Sequence, residues 1–210
     1  LKEKIGEAYL RWMKINPQRF CTMLLGVEGD IADVKAHLKA AHAQLRRVGG
    51  VPLGQGPGKK WAKDRFFLPY IRDPFLDLGL LVDTLETSTQ WSNLHHLHQE
   101  IKNSLKQIAE KQKISCTVFC HLSHYYTNGV ALYFSILANR QEGRELAQWM
   151  EFKQMANQII FKNNASISHH HGIGVDHKSH LFHSPLHRSM IATIKTQLDP
   201  EGIMNPGKIL

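Results

Sequence analysis

No apolar stretch in this sequence reaches the ~18 residues that a bilayer-spanning helix needs. No amino-terminal signal peptide is visible either. Cysteine is scarce: Cys21, Cys116 and Cys120 are the only three in 210 residues. An odd count without a CxxC pair argues against a disulfide framework and against a zinc knuckle. The apolar runs around all three predict buried, reduced thiols of an intracellular protein. Nucleotide-binding fingerprints are missing as well. The GPGKK stretch at 56–60 lacks the GxxxxGK[ST] spacing of a phosphate loop, and no GxGxxG follows a strand. Acidic residues are outnumbered, and the formal net charge of +8 favours anionic partners. The basic residues nevertheless never run beyond a pair, and the pairs are at 46–47 and 59–60. Without a basic run, no nucleic-acid face is expected.

What is present is an ordinary balance of 42% apolar and 21% charged residues, enough for one large domain or two small ones. The chain opens on Leu1 directly in a helical pattern, which reads as a piece of a longer protein. Residues 3–14 carry Ile5, Ala8, Tyr9, Trp12 and Met13 on one stripe and predict a helix. Residues 21–29 form a short apolar run closed by glycine and predict a strand. Asp30 caps a predicted helix to about Arg47. The glycine-rich stretch at 49–58 reads as a loop, followed by short helical turns around Pro69 and Pro74. Residues 80–87 alternate and predict a strand. Ser88 or Thr89 then caps a long helix to about Lys111. Residues 114–124 and 129–138 predict two strands joined by the YYTN turn, so an antiparallel pair is expected. A helix over 141–163, a short strand at ASISH, a helix over 184–198 and a turn-rich tail complete the chain. This order predicts an α+β fold, a ferredoxin-like antiparallel sheet with helices packed on it and enlarged by extra helices.

Several residues invite chemistry. The SHHHGIG run places His169, His170 and His171 before Gly172 and Gly174. Histidine titrates near neutrality and both accepts and donates protons. On spacing alone, a proton-handling site and a solvated polar loop are equally supported. A metal is not expected. Adjacent side chains of a strand point to opposite faces, so the three histidines need a bent backbone to meet one ion. His183 and His187, at i,i+4, lack the carboxylate or thiol companions of common zinc motifs. Arg72, bracketed by prolines, offers a clamp for a carboxylate or phosphate, although a surface pair with Asp73 is the simpler reading. Tyr133 sits in mid-strand, where most tyrosines are packing residues. Tyr125 and Tyr126 in the adjoining turn are alternatives for a functional phenol.

The tail, LDPEGIMNPGKIL, resembles the closing signature of flavoproteins of the vanillyl-alcohol-oxidase or p-cresol-methylhydroxylase type. FLPYIRD, DTLETSTQWSNL, GVALYF and ISHHHGIG resemble, in order, motifs of the alkyldihydroxyacetonephosphate synthase family and its bacterial relatives. The resemblance implies that residues 1–210 are the FAD-linked oxidase C-terminal cap or substrate domain. FAD would be held mainly by an amino-terminal domain absent from this sequence. It implies exchange of an acyl group for a fatty alcohol through a flavin adduct, with no net redox change. By the same resemblance Arg72, Tyr133, His169, His170 and His171 are catalytic, and Asn205 and Lys208 lie near the cofactor. The implied substrate is a phosphate- or carboxylate-bearing small molecule of lipid-like character. A homodimer and a cytoplasmic location with peripheral membrane contact are compatible with it. Two other readings stand beside this one. Hydroxy-acid dehydrogenases of the superfamily act on lactate- or glycolate-type substrates and usually carry Glu-His-Gly where this chain has its histidines. A non-catalytic anion-binding module is the third.

Overall fold

A computed structural model describes residues 21–181, 184–208 and 210. The helix expected over residues 3–14 and the side chain of His183 lie outside the described residues. The chain groups into two compact units, residues 1–69 and 70–210.

Within the first unit, helix α1 spans Ile31–Arg47, close to expectation. The Asp30 carbonyl accepts from Val34 N at 2.9 Å, but its side chain makes no cap bond. The helix ends because Gly49 adopts φ +83°, letting Gly50 N reach the Leu45 carbonyl at 2.8 Å and Gly49 N the Arg46 carbonyl at 3.1 Å. Two expectations need correction here. Residues 21–29 form no strand: an apolar run is not enough where no described segment pairs with it. The loop at 49–58 ends early, because helix α2, Gly56–Asp64, already starts at Gly56. Pro57 suits a first helical turn, and Lys60 pairs with Asp64 one turn on.

The second unit carries the sheet. Helix α3, Arg72–Asp77, precedes strand β1, Leu80–Gln90. A 3-10 turn leads into helix α4, Leu94–Lys111. Strands β2, Cys116–Ser123, and β3, Gly129–Asn139, follow. Helix α5, Glu145–Lys162, and helix α6, Pro185–Leu198, complete the described elements. The strands run β1–β3–β2, antiparallel throughout. Strand β1 outlasts its predicted end because Ser88, Thr89 and Gln90 keep pairing with Ala131, Val130 and Gly129. Neither Ser88 nor Thr89 therefore caps α4.

The expected strand at ASISH is only a fragment. Ser166 N donates to the Ser88 carbonyl at 3.0 Å, and His169 N to the Glu86 carbonyl at 3.1 Å. The Thr87 hydroxyl adds a bond to the Ser166 carbonyl at 2.6 Å. These rungs lay the segment antiparallel along the outer edge of β1, the fourth place in a ferredoxin-like sheet. The α+β expectation holds.

Side chains alternate across a strand. Leu85 and Cys120 both pair with Phe134, and this row packs with α4 and α5 into the core. Helix α4 contributes Leu97, Ile101, Leu105 and Ala109, a stripe at every fourth residue. The next row, Glu86, Tyr133 and His121, must face the other way. Cys116 and Cys120 are half-buried, and burial pushes the Cys120 thiol up to about 12. Cys21 is exposed, against the expectation that all three thiols are buried.

Helix α5 also buries polar groups, each with partners. Gln148 donates to the Asn139 carbonyl at 2.9 Å and accepts from Gln141 N at 3.0 Å. Lys153 meets Asp83 at 2.8 Å and the Thr84 carbonyl at 3.0 Å, while Trp149 donates to the same Asp83 oxygen at 3.1 Å. Asn157 holds His177 Nδ1 at 2.9 Å. Burial pushes His177 below its ordinary 6.5; Asp176 pulls the other way and Lys153 adds to the lowering. Protonation therefore favours the unfolded chain. The stability gained from a neutral His177 is present above the unfolded value and is lost as pH falls from about 6.5. Thermal melts between about pH 7 and pH 5 should show a smaller acid-side loss in His177→Gln than in the parent. Equal losses would remove His177 from that role.

Candidate functional site

The site is built on the sheet face turned away from α4 and α5. At its centre is Glu86, with a side chain only 2% exposed. Antiparallel pairing with Tyr133 fixes its position across the sheet. His169 is tied to the Glu86 carbonyl, so the histidine run starts at the edge of the same row. The backbone then bends: His170 adopts φ +45°, and His171 N donates to the His169 carbonyl at 2.7 Å. This is the bent backbone that the three histidines need in order to meet, and it brings all three rings to one carboxylate. His169 Nδ1 lies 3.3 Å from Glu86 Oε1, His170 Nε2 3.5 Å from Oε2 and His171 Nε2 3.1 Å from Oε2.

The β2–β3 turn supplies the other wall. Ser123 Oγ donates to Glu86 Oε1 at 3.3 Å and contacts His124 Nδ1 at 3.0 Å. His124 Nδ1 is itself 3.8 Å from Glu86 Oε1. Tyr126 OH is 2.9 Å from His169 Nε2. The two Nδ1 atoms of His169 and His170 face each other at 3.0 Å. Tyr133 meets His171 edge to face, with ring centres 5.8 Å apart. A polar cleft of about 500 Å³ opens beside Tyr126, bordered by Ser88, Gln90, Asn93, Asn128 and Ser166.

One ligand atom each of Glu86, His124, His169 and His170 falls within 4.8 Å of the others. A single ion with bonds of about 2.1 Å reaches donors at most about 4.2 Å apart. The nitrogens already stand at hydrogen-bonding distance from one another and from Tyr126. The separations of Glu86 from the imidazoles of His124, His169 and His170, 3.3 to 3.8 Å, suit a hydrogen-bonded cluster and lie within reach of one ion as well.

Of the residues singled out in the sequence, the structure gathers His169, His170, His171 and Tyr133. It does not join Arg72 to them by any hydrogen bond or ion pair among the described residues. Arg72 opens α3 with an exposed side chain, and no pair with Asp73 forms. Asn205 and Lys208 are exposed as well, in a turn where Lys208 N donates to the Asn205 carbonyl at 3.3 Å. That tail is organised by Asp199, whose carboxylate accepts from Ile203 N at 2.9 Å and Met204 N at 3.1 Å. The hydrogen bond from Lys195, with those backbone donors, holds the Asp199 carboxyl below its ordinary range. Glu86 and His124 were missed. The available signal for Glu86 was parity: Asp83 and Glu86, three apart in one strand, must face opposite sides, so one of them leaves the helix-covered face. Of the candidate phenols it is Tyr126, the alternative to Tyr133, that bonds a histidine.

The model of the family described as FAD linked oxidases, C-terminal domain, matches residues 3–209. The chain belongs to this family. An alkyldihydroxyacetonephosphate synthase of Dictyostelium discoideum is 34% identical over 205 residues, covering 96% of this chain and 34% of that protein. One of Trypanosoma brucei brucei is 27% identical, covering 93% of this chain and 32% of its own length. An uncharacterised FAD-linked oxidoreductase of Escherichia coli K12 is 28% identical, covering 90% of this chain and 41% of that protein. A solved structure of an alkyldihydroxyacetonephosphate synthase superimposes with a TM-score of 0.62 at 31% identity, over 86% of this chain and 30% of that one. The chain thus spans about a third of the length of its synthase relatives. No described helix is long and apolar enough to cross a membrane.

Proposed function

We propose that this chain is the substrate-side wall of an FAD-dependent enzyme of alkyldihydroxyacetonephosphate synthase type, exchanging an acyl group for a fatty alcohol. The observation that carries the reading is the block of His169, His170 and His171 gathered on the buried Glu86, with Tyr126 and Tyr133 at its flanks. The 34% identity to a synthase supports it. The residues present fit the ring end of a flavin. They offer imidazoles, phenols and a carboxylate on one sheet face, and the buried Ser168 hydroxyl next to His169 has no partner among the described residues. They do not fit its pyrophosphate, since no glycine-rich phosphate turn is present. A second domain would hold that part.

A bound flavin supplies the electron-accepting ring that such chemistry requires. The chain's own residues would handle the proton. Removing hydrogen from a carbon beside a carbonyl needs a base suited to neutral pH, and imidazole is that base. A cation near the developing negative charge lowers the barrier. In this proposal Arg72 binds the phosphate or stabilises that charge, and Tyr133 orients a substrate hydroxyl. Asn205 and Lys208 lie near the cofactor. The identity to an uncharacterised FAD-linked oxidoreductase supports a second reading, a net oxidation, for which we propose a small 2-hydroxy acid as substrate.

Full-length protein should purify yellow, with about one flavin per chain. Protein that carries no flavin under mild purification would remove both readings. D-lactate or glycolate should not reduce a dye acceptor; rapid dye reduction would select the second reading.

A further inference from the structure

We infer that Glu86 is a positioning residue that sets the tautomers of the histidine block and the direction of a proton relay starting at Tyr126. The inference rests on the proposed function and concerns the same site.

An ionised carboxylate only accepts hydrogen bonds, whereas a neutral imidazole donates from one nitrogen and accepts at the other. Glu86 is buried, and among the described residues no lysine or arginine pairs with it. Its partners are imidazoles and one serine. Where Glu86 is ionised, a nitrogen facing it carries hydrogen. His170 Nε2 and His171 Nε2, both against Oε2, are thus donors. That leaves His170 Nδ1 bare. The His169 Nδ1 atom 3.0 Å away must then be the donor, and it also faces Glu86 Oε1 at 3.3 Å. His169 Nε2 is left bare, and the Tyr126 hydroxyl at 2.9 Å donates to it. The two hydrogen bonds of this chain point the same way, from Tyr126 to His169 and from His169 to His170, whose Nε2 stands 3.5 Å from Glu86 Oε2. A second arm agrees. Ser123 spends its hydrogen on Glu86, so the His124 Nδ1 atom at 3.0 Å donates to the serine oxygen. Both arms end on one carboxylate. The tautomers follow from the network, and the network follows from its acceptor-only end.

A proton taken up by the block can move along this chain only if each imidazole passes it from one nitrogen to the other. Shifting every hydrogen one step reverses the polarity of the chain, with no atom gained or lost. Glutamine at position 86 would present a donor as well as an acceptor and would remove the directional end.

The test uses full-length flavoprotein with 15N-labelled histidine. Long-range 15N–1H spectra of the parent should show His169 as the Nδ1–H form and His170 and His171 as the Nε2–H form. Glu86→Gln should give mixed tautomers at His169 and His170. The same variant should lose about 100-fold in kcat with KM changed less than about twofold. Glu86→Asp should recover part of the loss. Tyr126→Phe, at a half-exposed position, should fold normally and lose about tenfold in kcat. Mixed tautomers in the parent, or kcat unchanged in Glu86→Gln, would overturn the inference. So would zinc bound stoichiometrically to the purified protein and lost in Glu86→Gln, because the nitrogens would then hold a metal. Flavin content, measured on the same samples, separates these outcomes from failure of the functional reading: a flavin-free parent with the stated tautomers would overturn the function and leave the relay.

Discussion

His170→Ala in the full-length protein should lower turnover about 1,000-fold while flavin stays bound, because it removes the middle of the histidine block. Loss of a positioned acid–base group removes roughly 100- to 10,000-fold in rate. His170 lies at the point where the backbone enters the left-handed region, and its ring bridges His169 Nδ1 and Glu86 Oε2. Alanine breaks both links at once. His170 is half exposed and outside the core, so the fold should survive; circular dichroism and flavin absorbance are the controls. Rates within about threefold of the parent would take the histidine block out of the chemistry. Loss of flavin together with activity would assign His170 to cofactor retention.

The largest expected effect on stability is at Lys153, on the opposite side of the sheet. Its side chain is 6% exposed, and its ammonium is shared by Asp83, the Thr84 carbonyl and, at 3.8 Å, Asp176, beneath the Trp149 ring. Lys153→Ala leaves Asp83 in a half-buried place with Trp149 as its remaining near donor. Breaking one partner of such a pair costs about 3 kcal/mol. For a unit of this size the melting temperature should fall by roughly 10 °C. Lys153→Met combined with Asp83→Asn should recover much of that loss, because the Asp83 charge is gone and Asp176, 29% exposed, keeps contact with water. Scanning calorimetry decides the matter. A single variant that melts within about 2 °C of the parent would mean that water already carries the Asp83 charge.

The fold was legible where periodicity is long and one-sided. Leu97, Ile101, Leu105 and Ala109 announce α4, and alternation from Leu80 announces β1. It was misread where an element depends on partners distant in sequence. Residues 21–29 are apolar and short, but pairing makes a strand, and pairing is not written locally. The end of β1 depended on Gly129 and Val130, some forty residues on. For the site, the sequence and its family resemblance named the histidines and Tyr133. They did not reveal the bend at His170, since a positive φ at histidine leaves no mark in the sequence. Glu86 escaped notice because the five side chains gathered on it, Ser123, His124, His169, His170 and His171, come from two other segments. Arg72 was named by the family resemblance, which says nothing about its distance from the histidines in this chain.

The most direct measurement supplies full-length protein with an acylated dihydroxyacetone phosphate and an isotopically labelled fatty alcohol, without an external electron acceptor. The account predicts that free fatty acid is released and the label enters an ether-linked product in equal amount, and that both fall together in His170→Ala. Release of no fatty acid, with rapid dye reduction by a 2-hydroxy acid instead, would contradict it.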